Sequence, residues 1–204
     1  MAANSAYPAT LTGTLEEPLN RWLFLVKWLL IIPHIIVLVF LIAALVISII
    51  ISLFAILFSG RYPKGLFDFN VGVLRWGWRV QFYSYSALAT DKYPPFSRQA
   101  GGYPADFTVD YPEQLSRGLV LVKWILAIPH FIIVGFFCGG SRSRGSGLIG
   151  TLSIFAGIAN LFTGKYPPGL FSLVMALNRW VYRVTAYTAL MTDRYPPFRL
   201  DQEG

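Results

Sequence analysis

The chain has 204 residues, of which 55% are hydrophobic and 16% aromatic, whereas only 13% are charged. This composition lies outside the usual range of soluble globular domains, and it indicates a membrane protein. The net charge of +7 is not accompanied by any motif that reads a nucleic-acid groove, so we expect no nucleic-acid partner.

The first segment of the chain is a polar arm. Its stretch "TLTGTL" places Leu11 and Leu15 among threonines, a weak form of the two-residue period of a half-buried strand. The N-terminal residues do not show a basic segment followed by an apolar stretch and a small-residue cleavage site. We therefore expect no secretory signal and a cytoplasmic N-terminus.

A long apolar run follows, from Trp22 to Phe58, and little more than Lys27, His34 and two serines interrupts it. A helical crossing of a bilayer needs about 20 apolar residues, so the run is almost long enough for two crossings. It ends at "GRYPKGLF", where two glycines and a proline predict a turn.

A helix is predicted after this turn. Asp68, Gly72, Arg75 and Arg79 recur at steps of four, three and four residues, which places them on one helical face. The other positions are mostly aromatic or aliphatic. A cationic stripe with flanking Trp and Tyr is typical of a helix in the headgroup plane of a membrane, so we interpret it as an interfacial helix.

The whole pattern then occurs a second time. "KWLLIIPH" returns as "KWILAIPH", "GRYPKGLF" as "GKYPPGLF", "RWGWR" as "RWVYR" and "TDKYPPF" as "TDRYPPF". The chain is therefore a duplicated module, with residues 1–98 as the first repeat and residues 99–204 as the second. The second arm, "DFTVDY", alternates more clearly. The two arms could pair as strands, add a strand to a partner's sheet, or form solvated tethers.

One difference between the repeats bears on topology. The second repeat carries the insert "CGGSRSRGSG", residues 138–147, within its apolar run, and such a segment belongs at a water interface rather than in hydrocarbon. We therefore expect a helical hairpin with limbs at roughly 119–137 and 148–162. By alignment, the run of the first repeat should turn near 41–46.

The alternative topology is an interfacial helix over 22–32, a break at Pro33 and one crossing over 34–58. With the hairpins, the expected fold class is an all-α membrane protein of two tandem repeats. Each repeat contains a transmembrane or re-entrant helical hairpin and an amphipathic interfacial helix, preceded by a short polar arm.

This topology also predicts which side of the membrane carries the basic residues. Nearly all of them lie on one side, and only Arg142 and Arg144 lie opposite. Because basic residues gather on the cytoplasmic side, we expect a multi-pass protein of the cytoplasmic membrane with both termini in the cytoplasm. Its basic surface would face anionic lipid.

The motifs "KWxLxIPH", "G[RK]YPxGLF", "RWxxR" and "TD[KR]YPPF" occur in this order and twice. They make the chain resemble a tandem member of the bacterial integral-membrane family named domain of unknown function 4389. The resemblance extends over roughly residues 7–198. It implies a location in a bacterial inner membrane, and it carries over neither an activity nor catalytic residues.

Two arginine pairs, Arg75 with Arg79 and Arg179 with Arg183, are the first candidate site. Like charges at a four-residue spacing destabilise a helix unless an anion lies between them, and guanidinium groups bind phosphate well. We therefore expect the pairs to bind headgroups of anionic phospholipids. The alternative is that they snorkel, or pair internally with a carboxylate such as Asp68.

Aromatic side chains that would anchor the protein at the membrane interface form a second candidate set. They are Trp28, Trp76, Trp78, Trp124, Trp180 and Tyr182. Lys27 and Lys123 are the fixed charges within the apolar runs, and they lie near the ends of the runs, where snorkelling accounts for them.

His34 and His130 occupy equivalent positions, each directly after a proline. If the repeats pack about a pseudo-twofold axis, the two imidazoles could ligate one haem, and the protein would transfer electrons. The alternative is a structural role beside a helix break. No other cofactor and no metal site are expected.

The sequence contains no HExxH or CxxC motif and no phosphate-binding glycine loop, so we do not expect an enzyme. We expect a non-catalytic accessory or scaffolding subunit of a larger membrane assembly, in contact with other integral membrane proteins and with anionic lipid. The alternatives are a stand-alone protein that shapes or organises the membrane, and the haem-binding electron-transfer protein.

Overall fold

The structure is a computed structural model that describes residues 7–139 and 147–200; most of the insert therefore lies outside the described residues. The first repeat contains β1 (Ala9–Gly13), a 3₁₀ turn (Leu23–Leu25), α1 (Lys27–Leu30), α2 (Ile32–Ser59) and α3 (Lys64–Tyr83). The second repeat contains β2 (Ala105–Val109), α4 (Leu119–Leu126), α5 (Ile128–Cys138), α6 (Leu148–Thr163) and α7 (Pro168–Thr188). The described part is mostly helical, and each repeat begins with a strand and ends with a helix of at least twenty residues.

The two arms pair with each other as a two-stranded antiparallel sheet, which confirms one of the three predicted alternatives. Leu11 lies opposite Phe107 in the register, and both side chains are buried. Alternation of apolar and polar residues gives each strand one face for the core, so the register places these two side chains together.

Each strand packs against a helix of the other repeat. β2 contacts α3, and β1 contacts α7. Two tyrosine hydroxyls add hydrogen bonds between the repeats. Tyr62 donates to the carbonyl of Ala189 at 3.3 Å, and Tyr166 donates to the carbonyl of Ala87 at 2.7 Å. The repeats that are separate in the sequence therefore interlock in space, and they share one large core cluster.

The apolar run of the first repeat is one uninterrupted helix, so the predicted turn near 41–46 is wrong. α2 continues through this segment because "LIAALV" contains no glycine or proline that would end a helix. The alternative topology is closer to the structure, since a 3₁₀ turn and the short α1 precede α2. Pro33 lies in the first turn of α2, where its missing N–H removes no helical hydrogen bond.

The second repeat divides the equivalent run into three helices. α4 and α5 meet at Ala127 with a bend of 48°, and α5 ends at Cys138 before the left-handed Gly139. α6 begins at Leu148, beyond the insert. α5 and α6 both pack on α7, as α2 packs on α3. The predicted limbs therefore correspond to helices, whereas the hairpin arrangement is not confirmed.

α3 and α7 lie inside the fold. α3 contacts both β2 and α2, and α7 contacts β1, α5 and α6. Trp78, Phe82 and Tyr182 are buried at the centre, and Trp78 packs edge to face on each of the other two rings. The predicted interfacial helices are therefore packed inside the fold along much of their length, because the strands cover the arginine-bearing face and other helices cover many of the apolar side chains.

Within the described part, α2 is the one helix that is long and apolar enough by itself to cross a membrane, with a mean hydropathy of 3.3 over its most apolar segment. The bent pair of α4 and α5 would be a second such segment if it forms one span. Only 22% of the apolar segment of α2 is buried. This differs from the core helix of a soluble protein, which is mostly enclosed.

Candidate functional site

The first arginine pair binds the second arm. Arg75 Nε donates to Asp106 Oδ1 at 2.5 Å, and its Nη1 donates to the carbonyl of Arg98 at 3.0 Å. Arg79 is 1% exposed; its Nε donates to the carbonyl of Ala105 at 3.3 Å, and its Nη2 lies 3.9 Å from Asp106. Burial lowers the pKa of Arg79, and the Asp106 carboxylate opposes this shift. The anion between the two arginines is thus a carboxylate of the protein itself.

The second arginine pair has no counterpart of Asp106 in β1, because Thr10 occupies there the position that Asp106 has in β2. Arg179 Nε donates to a backbone carbonyl of β1 at 3.4 Å. Arg183 is buried, and its Nη1 donates to the carbonyl of Arg199 at 3.1 Å. Both pairs therefore bind the protein's own chain, and the geometry favours the internal alternative over lipid binding for these four arginines.

Four of the six predicted interfacial anchors are buried, so this prediction needs correction. They are Trp76, Trp78, Trp180 and Tyr182. Trp78 illustrates the reason, because its Nε1 donates to the carbonyl of Thr12 in β1 at 2.8 Å. An indole enclosed in this way cannot insert among lipid headgroups. Trp28 and Trp124 are exposed, as an interfacial anchor must be.

His34 lies in an aromatic cage built from three motifs of the first repeat. Trp76 Nε1 donates to His34 Nδ1 at 3.0 Å. The imidazole stacks on Phe96 with the ring centroids 3.9 Å apart, and it also contacts the ring of Tyr93. Because Nδ1 accepts a hydrogen bond, the neutral ring carries its proton on Nε2, which is fully buried.

His130 has the same cage in the second repeat. Trp180 Nε1 donates to its Nδ1 at 3.0 Å, and Phe198 stacks on the ring with the centroids 4.1 Å apart. Both imidazoles are fully buried, each beneath its own aromatic ring, so a haem between the two histidines does not fit. In the same described ranges, no group of three or more His, Cys, Asp or Glu side chains could hold a metal ion.

Lys27 is buried, so the prediction that it snorkels to a membrane surface is wrong. Its ammonium lies 3.1 Å from Asp91 Oδ1, donates to the carbonyl of Thr90 at 2.6 Å, and lies 4.7 Å from the ring centroid of Tyr83. Asp91 Oδ2 accepts the backbone N–H of Asn20 at 2.5 Å. Burial lowers the pKa of Lys27, and the carboxylate of Asp91 opposes the shift.

Lys123 repeats this arrangement and is likewise not a snorkelling residue. Its ammonium lies 2.8 Å from Asp193 Oδ1 and donates to the carbonyl of Thr192 at 2.8 Å. Asp193 Oδ2 accepts the backbone N–H of Ser116 at 2.6 Å. Neither ion pair was predicted from the sequence. The signal that could have found them is one lysine and one aspartate recurring at equivalent positions of two motifs in both repeats.

The ion pair and the histidine cage of each repeat form one continuous assembly, which we call a terminal clamp. The first clamp contains Lys27, His34, Trp76, Asp91, Tyr93 and Phe96. The second contains Lys123, His130, Trp180, Asp193, Tyr195 and Phe198. In each clamp the tyrosine hydroxyl also donates to a backbone carbonyl just before the apolar helix, at 3.0 Å. Each clamp holds the C-terminal segment of its repeat, which contains the "TD[KR]YPPF" motif, across the start of the apolar helix of the same repeat.

These features define a duplicated, mostly helical protein whose motif residues hold its helix ends together. The chain belongs to the family described as Domain of unknown function (DUF4389), whose model matches residues 21–98 and 117–199, once in each repeat. The two matches cover well over half of the chain. No curated protein and no solved structure matches it.

Proposed function

We propose that the protein is a non-catalytic accessory or scaffolding subunit of an assembly in the bacterial cytoplasmic membrane. It crosses the membrane more than once, and both termini lie in the cytoplasm. α2 contacts lipid and a transmembrane helix of a partner protein. The observation that carries the proposal is the uncovered apolar surface of α2.

Only a narrow stripe of α2 is covered by the rest of the fold. The buried residues follow one side of the helix, from His34 to Ile56. Beyond the partly buried residues that flank this stripe, the side chains are apolar and exposed; Phe40 is 72% exposed, Ile47 59% and Phe58 75%. A continuous apolar surface of this extent is rare on a soluble monomer, and it marks contact with a membrane or with another protein.

The terminal clamps support a non-catalytic role. Their lysine, aspartate and histidine side chains are the residue types that most often act as acids, bases or ligands. In the clamps the lysines and aspartates pair with each other, and the histidines lie fully buried beneath aromatic rings. The exposed surface of α2 is apolar, and the association of helices in a membrane depends on such packing surfaces.

Membrane insertion is tested by washing native membranes that contain the full-length protein with alkaline carbonate. Because of the exposed apolar surface, we expect the protein to stay with the membrane pellet. Release into the supernatant would refute the membrane location, and the accessory role would fail with it.

Partner contact is tested with a photo-crosslinking amino acid placed in α2 in native membranes. Positions Phe40 and Ile47 are exposed, whereas Leu38 is buried against α3 and serves as the matched control. We expect a discrete protein adduct from at least one exposed position and none from the control. If both exposed positions give lipid adducts alone, the accessory role is wrong. Reshaping of liposomes by the purified protein would then support the stand-alone membrane organiser.

A further inference from the structure

We propose that a basic cradle at the end of α2 binds the phosphate group of an anionic phospholipid. The proposal rests on the proposed membrane location and goes beyond it by assigning a ligand site. The cradle is a cavity of about 360 Å³. Its lining residues are Ser59, Gly60, Arg61, Gln114, Leu115 and Arg117.

Local backbone structure builds the cradle from both repeats. α2 ends at Gly60, whose φ of 71° lies in the left-handed region. The backbone N–H of Leu115 donates to the Gly60 carbonyl at 2.8 Å, which holds the segment before α4 against the end of α2. A Cβ on residue 60 would lie 3.5 Å from Arg117 Nε. The guanidinium of Arg117 therefore reaches the end of the helix.

The polar groups of the cradle are suited to an anion. Among the described residues, neither Arg61 nor Arg117 forms an ion pair with a carboxylate. Ser59 and Gln114 add neutral hydrogen-bonding groups, and Glu113 does not line the cavity. Arginine donates paired, charge-assisted hydrogen bonds to phosphate. The arginine pairs of α3 and α7 differ, because they bind the protein's own chain.

The second repeat has a counterpart of the cradle, built by the same exchange of segments. Gly164 ends α6 with a φ of 71°. Arg21 Nη2 lies 2.7 Å from the position that a Cβ on residue 164 would take. Lys165 supplies the second cation. Glu17 accepts the backbone N–H of Tyr166 at 3.2 Å beside this counterpart, so its carboxylate offsets part of the positive charge there. The first cradle is therefore the site we assign.

Both positions lie at the ends of exposed apolar helices. Phe58, just before the cradle, is 75% exposed, and Phe162, just before the counterpart, is 78% exposed. At the end of a helix that crosses a membrane, hydrocarbon gives way to headgroups, and aromatic and basic side chains are enriched. A phosphate at this level belongs to a lipid, whose acyl chains can cover the apolar surface of α2.

The experiment compares binding of phosphatidylglycerol and phosphatidylcholine to the full-length protein in mild detergent, by native mass spectrometry. The cradle variant is Arg61→Gln with Arg117→Gln. The control variant, Lys64→Gln with Lys92→Gln, removes the same charge from two exposed lysines that do not line the cavity and that pair with carboxylates. We expect the cradle variant to bind phosphatidylglycerol about a hundredfold more weakly, because it loses both arginines and each charge-assisted hydrogen bond contributes about tenfold. We expect the control to keep the wild-type affinity and phosphatidylcholine binding to be unchanged.

Unchanged phosphatidylglycerol affinity in the cradle variant would overturn the proposal. A lower melting temperature with unchanged affinity would also overturn it, because Arg117 would then only stabilise the C-terminal end of α2. A third arm adds inorganic phosphate, and displacement of the lipid at equimolar concentration would overturn the assignment to a lipid. Failure of the membrane location is distinguishable, since the wild-type protein would then be released by carbonate and retain no lipid.

Discussion

Replacing Asp91 by asparagine tests the first terminal clamp. The change leaves the buried ammonium of Lys27 without a charged partner, close to the carbonyl of Thr90 and the ring of Tyr83. At the observed 3.1 Å, the attraction between the two charges is about 5 kcal/mol at an effective dielectric constant of about 20. Desolvation offsets much of this in the intact pair. Breaking such a pair from one side costs about 3–5 kcal/mol, which is the loss we expect in the free energy of unfolding.

Replacing Lys27 by methionine should cost less, about 1–3 kcal/mol, because no buried charge remains and the lost interactions are hydrogen bonds. The carboxylate of Asp91 is 28% exposed, so water reaches it, and it still accepts the N–H of Asn20. The double variant, Lys27→Met with Asp91→Asn, should be more stable than Asp91→Asn alone. The deficit of Asp91→Asn should also shrink at alkaline pH, because burial lowers the pKa of Lys27. Loss of its proton then removes the buried charge.

The assay is reversible unfolding in mixed micelles, followed by tryptophan fluorescence as the denaturing detergent fraction rises. The same pair of substitutions at Lys123 and Asp193 provides an internal replicate. Two results would refute the reasoning about the buried pair. One is that Asp91→Asn is no more destabilising than Lys27→Met, and the other is that the loss in the double variant equals the sum of the two single losses.

Three further predictions use the same unfolding assay. Trp76→Phe should cost about 1–3 kcal/mol, because it leaves His34 Nδ1 buried without its donor; an unchanged midpoint would contradict the cage. Gly72→Ala should cost about 1–3 kcal/mol by overpacking, because the new Cβ would lie 2.9 Å from the Cβ of Arg98. The matched Gly65→Ala meets nothing within 4 Å and should be neutral or stabilise by up to about 1 kcal/mol; equal losses would refute the steric argument. Hydrogen bonds from Lys92 and Thr90 lower the pKa of Glu16. The wild-type protein should therefore be more stable than Glu16→Gln, and this difference should be complete at a pH above the ordinary pKa of a glutamate. It should disappear as pH falls through the lowered value, and a difference that persists in acid would contradict this.

Local periodicity was sufficient to predict several elements. The duplication and the common face of Gly72, Arg75 and Arg79 follow from spacing, and the pairing of the arms was one of three alternatives that spacing left open; the structure contains each of them. Spacing alone did not reveal what covers that face. Asp106 lies in the opposite arm, and a pattern of alternating residues fixes a strand's two faces without fixing the helix against which it packs.

Most of the errors have one physical origin. The interior of a protein and the interior of a bilayer are both apolar, so composition could not tell whether Trp78 or Tyr182 faces lipid or protein. Lys27 was misread for the same reason, since its partner lies in a motif more than sixty residues away. The turn near 41–46 was inferred from an insert in the other repeat, whereas an insertion can interrupt a helix without implying a bend in its uninterrupted counterpart.

The exchange of strands between the repeats also sets an order of assembly during translation. β1 is synthesised before its strand partner β2, which belongs to the second repeat, and the helix that β1 covers, α7, is synthesised after both strands. α3 is complete long before α7, whereas Arg79 can bind β2 as soon as the second arm appears. The packing of α3 can therefore be completed as soon as β2 has been synthesised, whereas α7 can be covered only if β1 is still available after all the intervening elements have been synthesised.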